Sequence, residues 1–354
     1  MKNSKPYQDA VELLKKLIAT PSFSKEEDKT AAIIETYFKI RNIPFKRHLN
    51  NVWAVNKYVD ASKPTLLLNS HHDTVKPNTQ YSKDPFLPII EGQKLFGLGS
   101  NDAGGCLVSL MAAFCHFYAN ENLKYNIILA ATAEEEISGQ NGIESILPLL
   151  PKIDLAIVGE PTQTNLAIAE KGLLVLDCMA TGKAGHAARD EGENAIYKAI
   201  EDMKWFQQYR FPEISETLGE IKMSVTSIHT DNKAHNVVPA VCHFVVDIRV
   251  TDVYSQEQLL ETIKSHIHSS IKPRSTRLRS SKIDKAHPLV KAGINLGKQT
   301  YGSPTTSDAA LIPAPVLKCG PGDSARSHTA DEFIYLSEIE EGIKTYIKIL
   351  EQVV

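Results

Sequence analysis

The sequence predicts an α/β protein: a mostly parallel sheet with helices on both faces, interrupted by an inserted α+β unit of ferredoxin-like order. Three observations predict it. Four short apolar runs bounded by turn residues recur along the 354 residues, as strands buried on both faces of a parallel sheet do. Segments with helical spacing lie between them. A middle stretch changes period, from continuous apolar runs to strict alternation. The length corresponds to about two domains at roughly 150 residues each. Their expected boundaries are 1–172 with 286–354 for the parallel domain and 173–285 for the insert.

Taken in chain order, Val11, Leu13, Leu14, Leu17 and Ile18 follow a helical spacing and leave no continuous apolar core for a signal peptide. Thr65-Leu66-Leu67-Leu68 is the first strand and runs into Asn69-Ser70-His71-His72-Asp73. Residues 105 to 118 form a helix with Leu107, Leu110, Met111 and Phe114 on one face, opened by Asp102 as an N-cap. Ile127-Ile128-Leu129-Ala130 delivers Glu134-Glu135-Glu136, and Leu155-Ala156-Ile157-Val158 delivers Gly159-Glu160-Pro161-Thr162. In the middle stretch, Asn194 to Tyr209 and a helix capped by Ser255 and Gln258 flank strands such as Cys242 to Val250, where inward and outward residues alternate. Pro315-Val316-Leu317 is the last parallel strand and runs towards Gly320-Pro321-Gly322. The helix over 338–353 opens on Ser337 and Glu340, spaced as a capping box.

Composition removes several function classes. Lysine and arginine number 39 against 42 aspartate and glutamate, so no basic excess exists to bind a polyanion such as nucleic acid. No apolar run reaches the roughly 20 residues a membrane span needs. The five cysteines are scattered and show no C-x-x-C, as expected of reduced thiols in a cytoplasmic protein.

The polar groups delivered by the strands would meet at the carboxyl edge of one sheet, where open α/β sheets bind ligands. His71 and Asp73 share a side of an extended segment, so Asp73 can orient a ligating imidazole; the same residues also suit a surface turn. Gly97-Leu98-Gly99-Ser100-Asn101-Asp102 lacks the third glycine of a dinucleotide loop, and a carboxylate there would repel a pyrophosphate. Glu134-Glu135-Glu136 reads either as a solvated acidic loop or, at a strand end, as a run that needs cations or protons. Glu160 and His328 complete a set of histidines and carboxylates that suits Zn²⁺. An acid beyond the ligand set would serve as base, the inventory of a metal-assisted hydrolase with one or two metals. G-x-S-x-G is absent, which disfavours a serine hydrolase.

In this order the motifs resemble the di-zinc aminoacylase/carboxypeptidase-type metallopeptidase family, in its branch of acetylornithine deacetylases and succinyl-diaminopimelate desuccinylases. Ser70 to Val75, Gly97 to Gly105, Ala133 to Gly139, Val158 to Thr162 and Ser327 to Glu332 carry the resemblance. It implies two Zn²⁺ per chain, with Co²⁺ or Mn²⁺ able to occupy the same ligands. His71, Asp102 and Glu160 would hold one metal, and Asp102, Glu136 and His328 the other. Asp73 would orient His71 and Glu135 would be the general base, in a register that leaves Glu134 out. Gly182 to Ala187 resembles the family segment whose histidine, here His186, stabilises an oxyanion, often across a dimer interface; the segment also reads as a plain loop. Asn236 and Arg249 match substrate-contacting positions, Arg249 for a carboxylate that Gly320 and Gly322 would meet with backbone N–H groups. Arg249 equally suits a surface ion pair. One departure is Gly104, where many relatives have lysine two residues after the bridging aspartate. The resemblance implies a cytoplasmic homodimer whose insert acts as lid and dimerisation domain. Its substrate is a small N-acyl amino acid, with N-acetylornithine first. N-succinyl amino acids, N-acetylcitrulline, N-acetyl-lysine and dipeptides are the alternatives, and a catalytically silent binding protein is the reading of a different class.

Overall fold

A computed structural model describes residues 4–354; Met1, Lys2 and Asn3 lie outside the described residues. The chain divides into two compact units. One takes in the chain up to Ala169, Lys282–Tyr301 and Ser307–Val354; the other takes in Glu170–Ser281 and Gly302–Thr306. That last short segment lies far from the insert in sequence. The Lys171 N–H donates to the Ser303 carbonyl at 3.0 Å, and Thr306 Oγ1 to the Lys171 carbonyl at 2.9 Å.

The first unit is built on four parallel strands in the spatial order Asn126–Thr132, Thr65–His71, Leu155–Val158, Val316–Lys318. Antiparallel strands flank them: Asn51–Val55 beside Asn126–Thr132, and Leu166–Glu170 beside Val316–Lys318. All four parallel strands are buried along their length. Leu66, Leu68, Ile127, Leu129, Ile157 and Leu317 face one way, into a cluster with helices Lys5–Ile18, Asp28–Ile40, Gly105–Phe117 and Leu336–Val353. Leu67, Ile128, Ala130, Ala156, Val158 and Val316 face the other, against Ile143, Ile146, Ile153 and Ile312. Burial on both faces explains why these strands read as continuous apolar runs. Each such leucine or isoleucine contributes about 1.5–3 kcal/mol of hydrophobic burial.

Two helix starts differ from expectation. Asp102 does not cap the helix Gly105–Phe117, whose N-cap is Gly104. The last helix begins at Leu336, and Glu338, not Glu340, reaches back to the Tyr335 N–H at 2.9 Å. Glu338 is also held by Arg326, and the capping box lies two residues earlier than spacing alone indicated.

The second unit has the order strand, helix, strand, strand, helix, strand. Its sheet runs Lys222–His229, Val241–Val250, Gly172–Thr181, Ser270–Pro273, all antiparallel. This is the ferredoxin-like arrangement. Buried and half-buried residues alternate through Val241–Val250, and Phe244, Val246 and Ile248 meet Phe206, Leu259 and Ile263 of the two helices. Asn194 caps the first helix by accepting from the Ile196 N–H at 2.9 Å, and Ser255 with Gln258 form the expected capping box on the second. All five cysteines are free thiols.

Candidate metal centre

The parallel strands end together, and their carboxyl ends carry the candidate ligands. His71 is the last residue of its strand and is 1% exposed. Its Nδ1 donates to the Asp73 backbone carbonyl at 3.0 Å, with Asp73 Oδ1 at 3.4 Å. Nε2 is thereby the nitrogen left for a ligand. It lies 3.4 Å from Asp102 Oδ1, 3.8 Å from Glu135 Oε2 and 3.8 Å from Glu160 Oε1, and has no hydrogen-bond partner. His72 next to it shows the contrasting case. Its Nδ1 pairs with Thr30 Oγ1 and its Nε2 with the Asn50 carbonyl, both at 2.9 Å, and burial pushes its pKa down to about 4. One histidine is a satisfied core residue; the other is buried with an open nitrogen among carboxylates.

Glu160 follows Val158 by two residues. Gly159 between them has no room for a Cβ, which would stand 2.7 Å from Leu110 Cδ1. The Gly159 N–H donates to the Asn69 carbonyl at 2.7 Å, and Ser70 Oγ to the Gly159 carbonyl at 2.9 Å, so Glu160 is locked to the His71 strand.

The acidic run sorts itself by conformation. Glu134 has φ +56°, and its carboxylate accepts from the Asn141 N–H and Nδ2 at 3.3 and 3.0 Å. Glu135 then faces His71, and Glu136 Oε2 lies 2.9 Å from His328 Nε2. Asp73 sets this turn. Besides lying by the His71 ring, its carboxylate accepts from Ser24 Oγ at 2.7 Å and from the backbone N–H of Glu135 and Glu136 at 3.1 and 3.2 Å. Sequence reasoning saw Asp73 only as the orienter of His71.

Asp102 sits in the irregular segment before its helix and faces both histidines, with Oδ1 at 3.4 Å from His71 and Oδ2 at 3.7 Å from His328. The Asp102–Ala103 peptide bond is cis. Asn101 clasps the loop after Gly322: its Nδ2 donates to the Asp323 carbonyl and its Oδ1 accepts the Asp323 N–H, both at 3.0 Å. His328 is on a loop at φ +60°, its side chain 55% exposed.

Two buried acids beside the centre were missed. Asp308 Oδ2 accepts from Thr132 Oγ1 at 2.7 Å, and burial pushes its pKa up to about 6. Its local sequence, Thr305-Thr306-Ser307-Asp308, reads as a turn and carried no signal. Glu332 accepts the N–H groups of Gly99, Asn101 and Asp102. It stood inside a motif noted for His328, with no role of its own.

The expected substrate residues divide between the units. In the first unit the Gly320 N–H is already donated to Thr162 Oγ1 at 3.0 Å, which commits the backbone donor expected there. Gly320 is instead a packing position, where a Cβ would stand 2.6 Å from Cys106 Sγ and 2.7 Å from Tyr346 OH. Gly322 adopts φ +91° against Asn101. In the second unit, His186 pairs with Val237 in a two-stranded ladder, and the Ala187 N–H donates to the Asn236 carbonyl at 2.9 Å. His186 and Asn236 are therefore neighbours on one exposed arm. Arg249 uses Nε and one Nη2 N–H on Asp247 at 2.8 and 3.1 Å, which leaves three N–H groups of its fork.

The donor set fits metal ions. Among the described residues, ligand atoms of His71, Asp102 and Glu136 lie within 4.8 Å of one another, as do those of His71, Glu135 and Glu160. Burial, with the charges of Glu160, Asp308 and Glu136, holds the Glu135 carboxyl well above its usual range although His71 pulls it down. His328 is raised to about 9, chiefly by its hydrogen bond to Glu136. Carboxylates crowded this way need protons or cations, and a partnerless imidazole nitrogen among them suits a metal ion.

Comparison with known proteins agrees with this geometry. The model of peptidase family M20/M25/M40 matches residues 67–352. The chain is 27% identical to the succinyl-diaminopimelate desuccinylase of Wolbachia pipientis from Culex pipiens, over 98% of this chain and 96% of that protein. It is also 27% identical to the enzyme of that name from Orientia tsutsugamushi strain Ikeda, over 73% and 71%. The fold is shared with an aminopeptidase of Bacillus cereus (TM-score 0.77, 16% identity, 98% of each chain). A dinuclear metal-binding M20 peptidase of Bacillus subtilis has it too (TM-score 0.73, 15% identity, 98% and 99%). Among the described residues no helix is long and apolar enough to cross a membrane. The chain belongs to peptidase family M20/M25/M40, a family of metal-dependent hydrolases.

Proposed function

We propose that this chain hydrolyses the amide bond of N-acyl amino acids, releasing a carboxylate and a free amino acid, with two zinc ions as cofactor. The observation that carries the reading is the buried Nε2 of His71, partnerless and within 4 Å of Asp102, Glu135 and Glu160. His71, Asp102 and Glu160 would hold one ion, and Asp102, Glu136 and His328 the other. When bound, such ions acidify water and polarise an acyl carbonyl.

The remaining work falls to side chains. Asp73 fixes the His71 tautomer and presents the Glu135-Glu136 turn. Glu135 takes the proton of the attacking water and returns it to the leaving amine, a role suited to a carboxyl whose proton affinity burial has raised. His186 donates to the oxyanion, Asn236 stands beside it on the same arm, and the free N–H groups of Arg249 take the substrate carboxylate. The inserted unit then acts as lid and, in a cytoplasmic homodimer, as the dimerisation domain.

N-acetylornithine is the substrate the sequence motifs put first. The names of the similar proteins favour a second reading, an N-succinyl diamino acid such as N-succinyl-diaminopimelate. A panel of N-acetylornithine, N-acetylcitrulline, N-acetyl-lysine, N-succinylornithine, N-succinyl-diaminopimelate and dipeptides, assayed on zinc-loaded and metal-stripped protein, tests both. Metal-dependent amine release from one acyl class supports the proposal and names the substrate. A zinc-loaded chain inert towards every member contradicts it and favours a silent binding protein.

A further inference from the structure

We infer that Glu332 is a positioning residue for the loop-held part of the metal centre, tying the Asp102 loop to the segment that carries His328. The inference rests on the two-metal reading above. Glu332 is 2% exposed. Its Oε2 accepts the Gly99 N–H at 3.0 Å, and its Oε1 accepts those of Asn101 and Asp102 at 2.8 and 2.9 Å. Its backbone carbonyl accepts a fourth, from Gly97, at 2.9 Å. Four N–H groups of one loop thus converge on one residue.

The chemistry of the side chain matters. A carboxyl group presents an oxygen on each arm, and here both meet backbone donors, whereas a glutamine offers one oxygen and aims an NH₂ at the rest. His71 and Glu160 need no such tether, because hydrogen-bonded parallel strands hold them. His328 has no strand beneath it. It stands four residues before Glu332, which ties its segment to the Asp102 loop, while its own carbonyl accepts from Asn78 Nδ2 at 3.3 Å.

Asp331 supplies an internal control. Its carboxylate clamps a loop in the same manner, accepting from Ser82 N–H, Ser82 Oγ and Lys83 N–H at 2.9, 2.5 and 2.9 Å. That loop carries none of the candidate ligands.

The test is a zinc titration of metal-stripped full-length protein against a competing chelator, for the native chain, Glu332→Gln and Asp331→Asn. Glu332→Gln is expected to retain its first equivalent and to bind the second about 10- to 100-fold more weakly. Its lost turnover should return at excess zinc with KM unchanged, while Asp331→Asn titrates as native. Equal affinity for the second equivalent in Glu332→Gln and native protein overturns the inference. So does a parallel weakening in both variants, which would mean general loosening. If Glu332→Gln does not fold, Glu332→Asp is read in the same way: it keeps the charge but retracts it by one methylene, and an unchanged second equivalent refutes the tether. A native chain that takes up only one zinc refutes the two-metal reading itself and removes the basis of the inference.

Discussion

The centre has two parts built differently. His71 and Glu160 extend directly from paired parallel strands, buried over an aliphatic core. Asp102, Glu136 and His328 stand on irregular segments that other carboxylates hold in place: Glu332 under Asp102, and Asp73 under Glu136. The first part draws its geometry from hydrophobic packing, which tolerates little displacement. The second draws it from hydrogen bonds to a few backbone N–H groups. Metal affinity and stability should therefore separate: strand substitutions should cost stability, and loop substitutions should cost the metal and the chemistry.

The largest effect expected is chemical. Glu135→Gln should lower kcat by about 10²- to 10⁴-fold while zinc content stays near that of the native chain. Metal analysis beside the assay checks it, and loss of metal instead would place Glu135 among the ligands. Next, His71→Ala should lose the one ion that His71, Asp102 and Glu160 would hold. His328→Ala should lose one, as chelator titration would show.

Stability effects come third. Leu68→Ala, in the strand that ends at His71, should cost about 2–5 kcal/mol in denaturant unfolding. Ile137→Ala, on the exposed turn that follows Glu136, should stay within about 0.5 kcal/mol. Equal costs would erase the distinction between the two parts. Gly320→Ala should fall between them, at about 1–3 kcal/mol, because its methyl meets Cys106 and Tyr346 in a closed space. The smallest effect should come from Arg274→Ala, which removes an exposed ion pair with Asp177 contributing about 0–1 kcal/mol.

The same division decided what was legible in the sequence. Continuous apolar runs marked the four parallel strands, and the rule that such sheets bind at their carboxyl ends pointed to His71, Glu134-Glu135-Glu136 and Glu160. Strict alternation marked Val241–Val250 and with it the inserted unit. The ligand role of Asp102 and the register of the acidic run came only through family resemblance, because the spacing of these loop residues reflects no repeating secondary structure. Asp102 looked like a helix cap, and only its irregular backbone shows otherwise. Asp308 and the role of Glu332 were invisible because each meets its partners across more than 170 residues of chain. Gly320 illustrates the converse: the resemblance implied a backbone donor there, and the structure gives that N–H to Thr162 Oγ1.

Anomalous diffraction at the zinc edge from crystals of the zinc-loaded chain tests the two-metal centre most directly. Two peaks sharing Asp102 are expected, one against His71 and Glu160 and the other against Glu136 and His328. A single peak, or a second one held by Glu134, would contradict it.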